Sequence, residues 1–155
     1  MVARGDRGLT MPGMNAAPVL FTVGYEGRSL EDFVALLQAE GVRRVVDVRE
    51  LPLSRREGFS KTPLRDVLAA RSIEYVHVRA AGNPYRGMKG RIDDCLRLFA
   101  DHLLRSPEVV RELEGHVLGS RAALLCVEAS FRACHRSVLA DRLRLLHPSL
   151  AVRHL

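Results

Sequence analysis

From residue 19 onward the chain alternates between short apolar runs and longer stretches whose apolar residues recur every three or four positions. The short runs are Val19 to Val23, Val42 to Val48, Ile73 to Val78 and Ala122 to Val127, and Ala151 to His154 reads as a short final strand. Between them, Leu30, Phe33, Leu36 and Leu37, then Leu64, Val67 and Leu68, then Ile92, Cys95, Leu96, Phe99 and Leu103, and finally the segment SVLADRLRLL keep helical spacing. Short apolar runs suit strands covered on both faces, and the spaced stretches suit amphipathic helices packed against them. Strands joined through helices lie parallel, with right-handed crossovers.

Local signals sharpen the boundaries. Ser29, followed by Asp32, reads as an N-cap with an acid three residues later, and Gly41 stands where a left-handed residue ends a helix. Thr62-Pro63 reads as a cap with Pro at the first helical position, Ser106-Pro107 caps a further helix through about Val117, and the last helix runs from Cys134 to His147. Residues 1–17 carry Gly, Pro and mixed charge without periodicity and read as a disordered N-terminal extension. The expectation is a single three-layer, Rossmann-like α/β domain over 18–155, with a mostly parallel sheet of about five strands.

Composition narrows the function classes. With 155 residues and 47% hydrophobic content the chain can bury one core. No apolar run approaches the ~20 residues that span a bilayer, and the opening MVARGDRGLTMPGMNAAP lacks the apolar stretch of a secretory signal, so a cytoplasmic protein without a membrane partner is expected. Three cysteines point to free thiols rather than a disulfide framework. Of the 24 basic residues all but Lys61 and Lys89 are Arg, which suits phosphate or carboxylate ligands. A GC-rich genome produces the same bias, so the +6 charge alone does not make the chain a nucleic-acid binder. The sequence holds no G-x-G-x-x-G and no P-loop, so no dinucleotide or Walker-type nucleotide cofactor is expected.

In an open parallel sheet, ligands bind beyond the carboxyl ends of the strands. The polar residues of this chain fall there: Gly24, Tyr25 and Glu26 after the first strand, Asp47 and Arg49 after the second, His77 and the Gly82 loop after the third, Glu128 and Cys134 after the fourth. Cys134 and His135 open the last helix, where unpaired N–H groups and the helix dipole favour a thiolate or a bound anion. Cys134 then has three readings. It is a nucleophile activated by the helix start and by Arg132, His135 and Arg136, with His135, Glu128 and Asp47 completing a catalytic set. It is a metal ligand beside Cys126, His135 and His77, although C-x7-C is not a recognised zinc knuckle. Or it is a small inert hydrophobe, as Cys95 on its apolar stripe is expected to be.

Asp47 within VVDVR needs a partner, such as Arg49 or a backbone donor, and the two either serve the site or tie loops to the sheet edge. Arg49, Arg55, Arg56, Arg86 and Arg136 either clamp an anion or form a solvated basic rim. His77 is either an acid–base group or a packed, hydrogen-bonded one.

The segments FTVGYEGRSLEDFVALLQAEGV (21–42), VVDVRELPLSRREGFSK (45–61), IEYVHVRAAGNP (73–84) and LLCVEASFRACHRSVLADRL (124–143) resemble, in this order, the DUF488 family of small bacterial and archaeal proteins. The resemblance implies an α/β fold and a shared pocket, with no established substrate. It marks Gly24, Tyr25, Glu26, Asp47, Arg49, Pro52, Ser54, Arg55, Lys61, Gly82, Cys126, Glu128, Cys134, His135 and Arg136. Many relatives carry G-H-S where this chain has Gly24-Tyr25-Glu26, so no role for a His at position 25 carries over. The resulting expectation is an enzyme using Cys134 and an arginine-lined crevice on an anionic, nucleotide-like substrate, with Ser54, Lys61, His77, Arg86 and Cys126 also lining it. A non-catalytic nucleotide or nucleic-acid binder and a Cys/His metal-binding protein are the alternatives.

Overall fold

The computed structural model describes residues 17–155, so the extension expected over 1–17 lies outside the described residues except for residue 17. Five strands alternate with five helices: β1 (Val19–Gly24), α1 (Leu30–Ala39), β2 (Arg44–Asp47), α2 (Lys61–Ala69), β3 (Glu74–His77), α3 (Ile92–Arg105), α4 (Pro107–Val117), β4 (Ala122–Cys126), α5 (His135–Leu146) and β5 (Ala151–His154). Two short 3-10 turns, Arg79–Ala81 and Phe131–Ala133, were not signalled by the sequence.

Most boundaries follow from their local chemistry. The Ser29 side chain accepts a hydrogen bond from the Asp32 amide and caps α1. Gly41 adopts φ 66°, a left-handed conformation in which L side chains are strained. Strands β2 and β3 begin later than the apolar runs because Val42 and Ile73 donate back to Leu37 and Leu68, closing the preceding helices. Helix α2 starts earlier than Thr62-Pro63 suggested, with Ser60 at the N-cap. Pro63 is then its third residue, still within the first turn, where a missing N–H forfeits no helical bond.

All strand pairs are parallel, in the order β3-β2-β4-β1-β5. One face packs on α1 and α2 through Phe33, Val34, Leu37, Leu64 and Leu68. The other packs on α3, α4 and α5 through Phe99, Leu103, Leu113, Leu139 and Leu143. The result is one three-layer α/β domain. The chain runs outward from β1 to β2 and β3, then reverses to insert β4 between β2 and β1. Right-handed crossovers put helices on opposite faces when the direction reverses. Strand β4 therefore exits to the face opposite that taken by both neighbours, which opens a crevice at its carboxyl end. Gly24 pairs with Cys126 there, and Asp47 lies between Leu125 and His77.

Among the described residues no helix is long and apolar enough to cross a membrane.

Candidate functional site

The carboxyl ends of β3, β2, β4 and β1 lie side by side, as the strand order requires, yet their polar residues form two clusters rather than one. Strand alternation divides them. Val48 and Cys126 belong to the core under α3–α5, whereas Tyr25 and Phe59 belong to the core under α1 and α2.

The α1/α2 side holds a buried ion pair. Asp47 is 0% and Arg49 1% exposed, with Nη2 donating to Oδ2 at 2.6 Å and Nε to Oδ1 at 2.9 Å. The Arg49 amide also donates to Oδ1, Tyr75 donates its hydroxyl to Oδ2, and Arg49 Nη1 reaches the Phe59 carbonyl at 2.8 Å and the Tyr25 hydroxyl at 3.4 Å. Tyr25 stacks on Phe59 with ring centroids 4.5 Å apart. His77 Nε2 lies 2.8 Å from the Arg49 carbonyl. Burial would lower the guanidinium pKa, but the hydrogen bonds and charge of Asp47, helped by Tyr25, outweigh it and leave it raised. Burial and the Asp47 charge push the Tyr75 phenol up as well. Every arm of Arg49 is thus committed within the protein. The cluster ties the 49–59 loop to the sheet edge.

The α3–α5 side holds the second cluster. Cys126 ends β4, Cys134 is the N-cap of α5 and His135 is its first residue; all three are buried. His135 Nδ1 lies 3.8 Å from the sulfur of Cys126 and 3.8 Å from that of Cys134. Its Nε2 lies 2.8 Å from the Val48 carbonyl, an acceptor only, so Nε2 carries a proton and Nδ1 is the nitrogen that faces both sulfurs. Phe99 packs edge-on against the ring at 5.2 Å.

The two thiols share one environment unequally. The Cys126 thiol donates toward Cys134, and this, with the hydrogen bond and charge of His135, lowers the Cys134 pKa against the effect of burial and of Glu128. Cys126 is pushed up by its hydrogen bond to Cys134 and by burial. Burial also raises Glu128, but its own backbone amide, the thiols of Cys134 and Cys126 and the charge of Arg86 leave its pKa below the ordinary carboxylate value. Glu128 Oε2 is buried without a hydrogen-bond partner.

Above this cluster a cavity of about 150 Å³ is lined by Asn83, Arg86, Arg91, Glu128, Ala133 and His135, among others. Arg86 and Arg91 are exposed at its rim. Arg136, in contrast, is 0% exposed and spends its guanidinium on the carbonyls of Glu128 and Ala129, at 2.6 and 3.3 Å. An anion clamp of Arg49, Arg55 and Arg136 is therefore not assembled: two of the three are internal braces and Arg55 is exposed on the other loop. Gly24 has no space for a side chain, since a Cβ would lie 1.8 Å from the Glu128 carbonyl oxygen. Glu26 is exposed, with the Ala129 amide 3.5 Å from its Oε1. The Ser60 hydroxyl accepts from the Ser54 amide and donates to the Ser54 carbonyl, shaping the loop before α2, and Lys61 is exposed at the helix start with its amide on the Pro52 carbonyl. Cys95 is buried between Asn83 and the Tyr85 carbonyl.

Two residues of the site carry no signal in the sequence: Val48, whose carbonyl fixes the imidazole, and Arg91 at the rim. Tyr75 does carry one, since alternation within IEYVHV puts it on the same side as His77.

A family model described as domain of unknown function DUF488 matches residues 29–143, and the chain belongs to that family. The matched region contains both Asp47–Arg49 and Cys126–Arg136 and begins after Gly24-Tyr25-Glu26. No curated protein and no solved structure matches the chain.

Proposed function

We propose that this member of the DUF488 family is an enzyme whose reacting centre is the cluster of Cys126, Cys134, His135 and Glu128, acting on a small anionic substrate or the anionic end of a larger one. The observation that carries the reading is the His135 ring, held by Val48 so that its basic nitrogen faces two buried sulfurs. Cys134 is favoured as thiolate by the thiol of Cys126 and by the hydrogen bond and charge of His135, and it stands at the start of α5, where a helix dipole favours negative charge. Glu128 stands at the cavity beside it, and Arg86 and Arg91 at the rim supply the positive charge that a phosphate or carboxylate would meet.

The cavity volume limits the substrate. About 150 Å³ is below the ~300–1,000 Å³ of pockets that enclose a drug-sized ligand, so it admits a reacting group and not a whole nucleotide. Asp47 and Arg49 belong to the support of this centre and not to its chemistry.

Two measurements test the reading. In metal-free protein at neutral pH a small alkylating reagent should modify Cys134 faster than Cys95, and equal rates would remove the thiolate from the argument. A screen of small phosphate and carboxylate esters should yield turnover that Cys134→Ser abolishes; turnover unaffected by that substitution would place the chemistry elsewhere.

A further inference from the structure

We infer that Cys126, Cys134 and His135 bind a zinc-like divalent metal ion, with the Glu128 carboxylate beside the coordination position they leave open. The inference rests on reading this cluster as the reacting centre, and it makes Cys134 a ligand.

Geometry comes first. The ligand atoms of the three residues all lie within 4.8 Å of one another, and Nδ1 is 3.8 Å from each sulfur. An ion bound tetrahedrally at about 2.3 Å to sulfur and about 2.0 Å to nitrogen needs S···N separations of about 3.5 Å. Each sulfur–nitrogen pair would close by about 0.3 Å, and the two sulfurs, within 4.8 Å of each other, would close to about 3.8 Å. They come from a strand end, a helix cap and the adjoining first residue of that helix, so the backbone already holds them together.

The surroundings are those of a ligating histidine. His135 presents Nδ1 to the sulfurs while Nε2–H donates to the Val48 carbonyl, an outer hydrogen bond that fixes tautomer and ring orientation. Leu139, Phe99 and Val48 make the neighbourhood apolar. Two thiolates there are costly unless a cation neutralises them. Thiolate and imidazole together select a borderline ion such as zinc over magnesium or calcium, which seek oxygen.

Three protein ligands leave one tetrahedral position free, the pattern of a catalytic rather than a structural site. Glu128 Oε2 is buried without a partner, and Glu128 and His135 both line the cavity. A water on the ion would donate a hydrogen bond to this carboxylate and face the cavity. The ion binds both sulfurs as thiolates, and any S–H proton still present is released to solvent.

The test uses the full chain, stripped with a chelator and titrated with cobalt(II), then zinc. We expect one equivalent per chain, with thiolate-to-cobalt charge-transfer bands and the intense visible bands of tetrahedral cobalt. Cys126→Ser and Cys134→Ser should each diminish the charge-transfer bands and weaken binding by at least about 100-fold, the upper range for loss of an outer partner alone. Cys95→Ser should change neither. Should a variant fail to fold, wild-type protein suffices: zinc should shield Cys126 and Cys134 from alkylation. Absence of saturable binding, a cobalt spectrum without thiolate bands, or zinc that leaves both thiols equally reactive would each overturn the inference. If no metal binds yet Cys134→Ser abolishes turnover, the metal site fails and the enzyme stands. If one equivalent binds but no small anion is turned over or perturbs the cobalt spectrum, the metal site stands and the enzyme fails.

Discussion

Substituting Asp47→Asn should destabilise the fold by about 3–5 kcal/mol, because it strands Arg49. The carboxylate accepts from Arg49 Nε and Nη2, from the Arg49 amide and from the Tyr75 hydroxyl, and both ion-pair side chains are 0% exposed. An asparagine keeps one acceptor and turns an NH2 group toward donors. The guanidinium then retains its charge in a site without water, and breaking such a pair costs about 3–5 kcal/mol. Against a total stability of about 5–15 kcal/mol this is a large fraction. At roughly 2–4 °C per kcal/mol for a chain near this size, the midpoint should fall by about 10 °C. Urea unfolding with an unchanged m value gives the cost directly. The double variant Asp47→Leu with Arg49→Met should recover much of it, since two apolar side chains of similar volume replace the pair without leaving a charge behind. A cost under about 1 kcal/mol for Asp47→Asn, or additive losses in the double variant, would refute the sealed ion pair.

Three further substitutions probe the frame of the site. Tyr75 has a raised pKa in the fold, so its contribution is complete below the ordinary phenol value of about 10 and is lost as pH climbs above it; urea midpoints between pH 8 and 11 should fall more steeply for wild type than for Tyr75→Phe. Equal slopes would mean that the phenol ionises as it does when unfolded. Gly24→Ala forces a Cβ to within 1.8 Å of the Glu128 carbonyl unless backbone moves, and should cost about 1–3 kcal/mol, the range for overpacking, and shift the loop carrying Glu128. A neutral result in denaturant would show that β1 and that loop are not in close contact. Arg136→Lys keeps the charge but cannot span the Glu128 and Ala129 carbonyls, so amide exchange in residues 128–133 should accelerate; unchanged exchange would remove its bracing role.

Alternation of strand and helix was readable because burial on both faces of a parallel sheet leaves uninterrupted apolar runs, and Val19 to Val23 and Ala122 to Val127 mark β1 and β4 to within a residue. The convergence of Cys126, Cys134 and His135 was also within reach, since a strand end and the start of the next helix meet at the same edge of a parallel sheet and only seven residues separate the two cysteines. What the sequence did not reveal was which polar side chains were already spoken for. Arg49 and Arg136 look like ligand-binding arginines in a list of residues. Only the fold shows that one is matched by Asp47 and the other by two carbonyls. Strand geometry is why the polar strand ends form two clusters and not one crevice. Successive residues of a strand point to opposite faces, so polar groups at one sheet edge divide between two layers.

Asp-Val-Arg at residues 47–49 shows what that division accomplishes. Asp47 and Arg49 lock together on the α1/α2 side, and their pairing, with the Arg49 amide on the carboxylate, fixes the path of the backbone as it leaves β2. Between them, Val48 packs into the opposite core and offers its carbonyl to His135 Nε2. The ion pair therefore bears on the cluster of Cys126, Cys134 and His135 without touching it, because a backbone shift at Val48 would release the ring and let Nδ1 turn away from the two sulfurs.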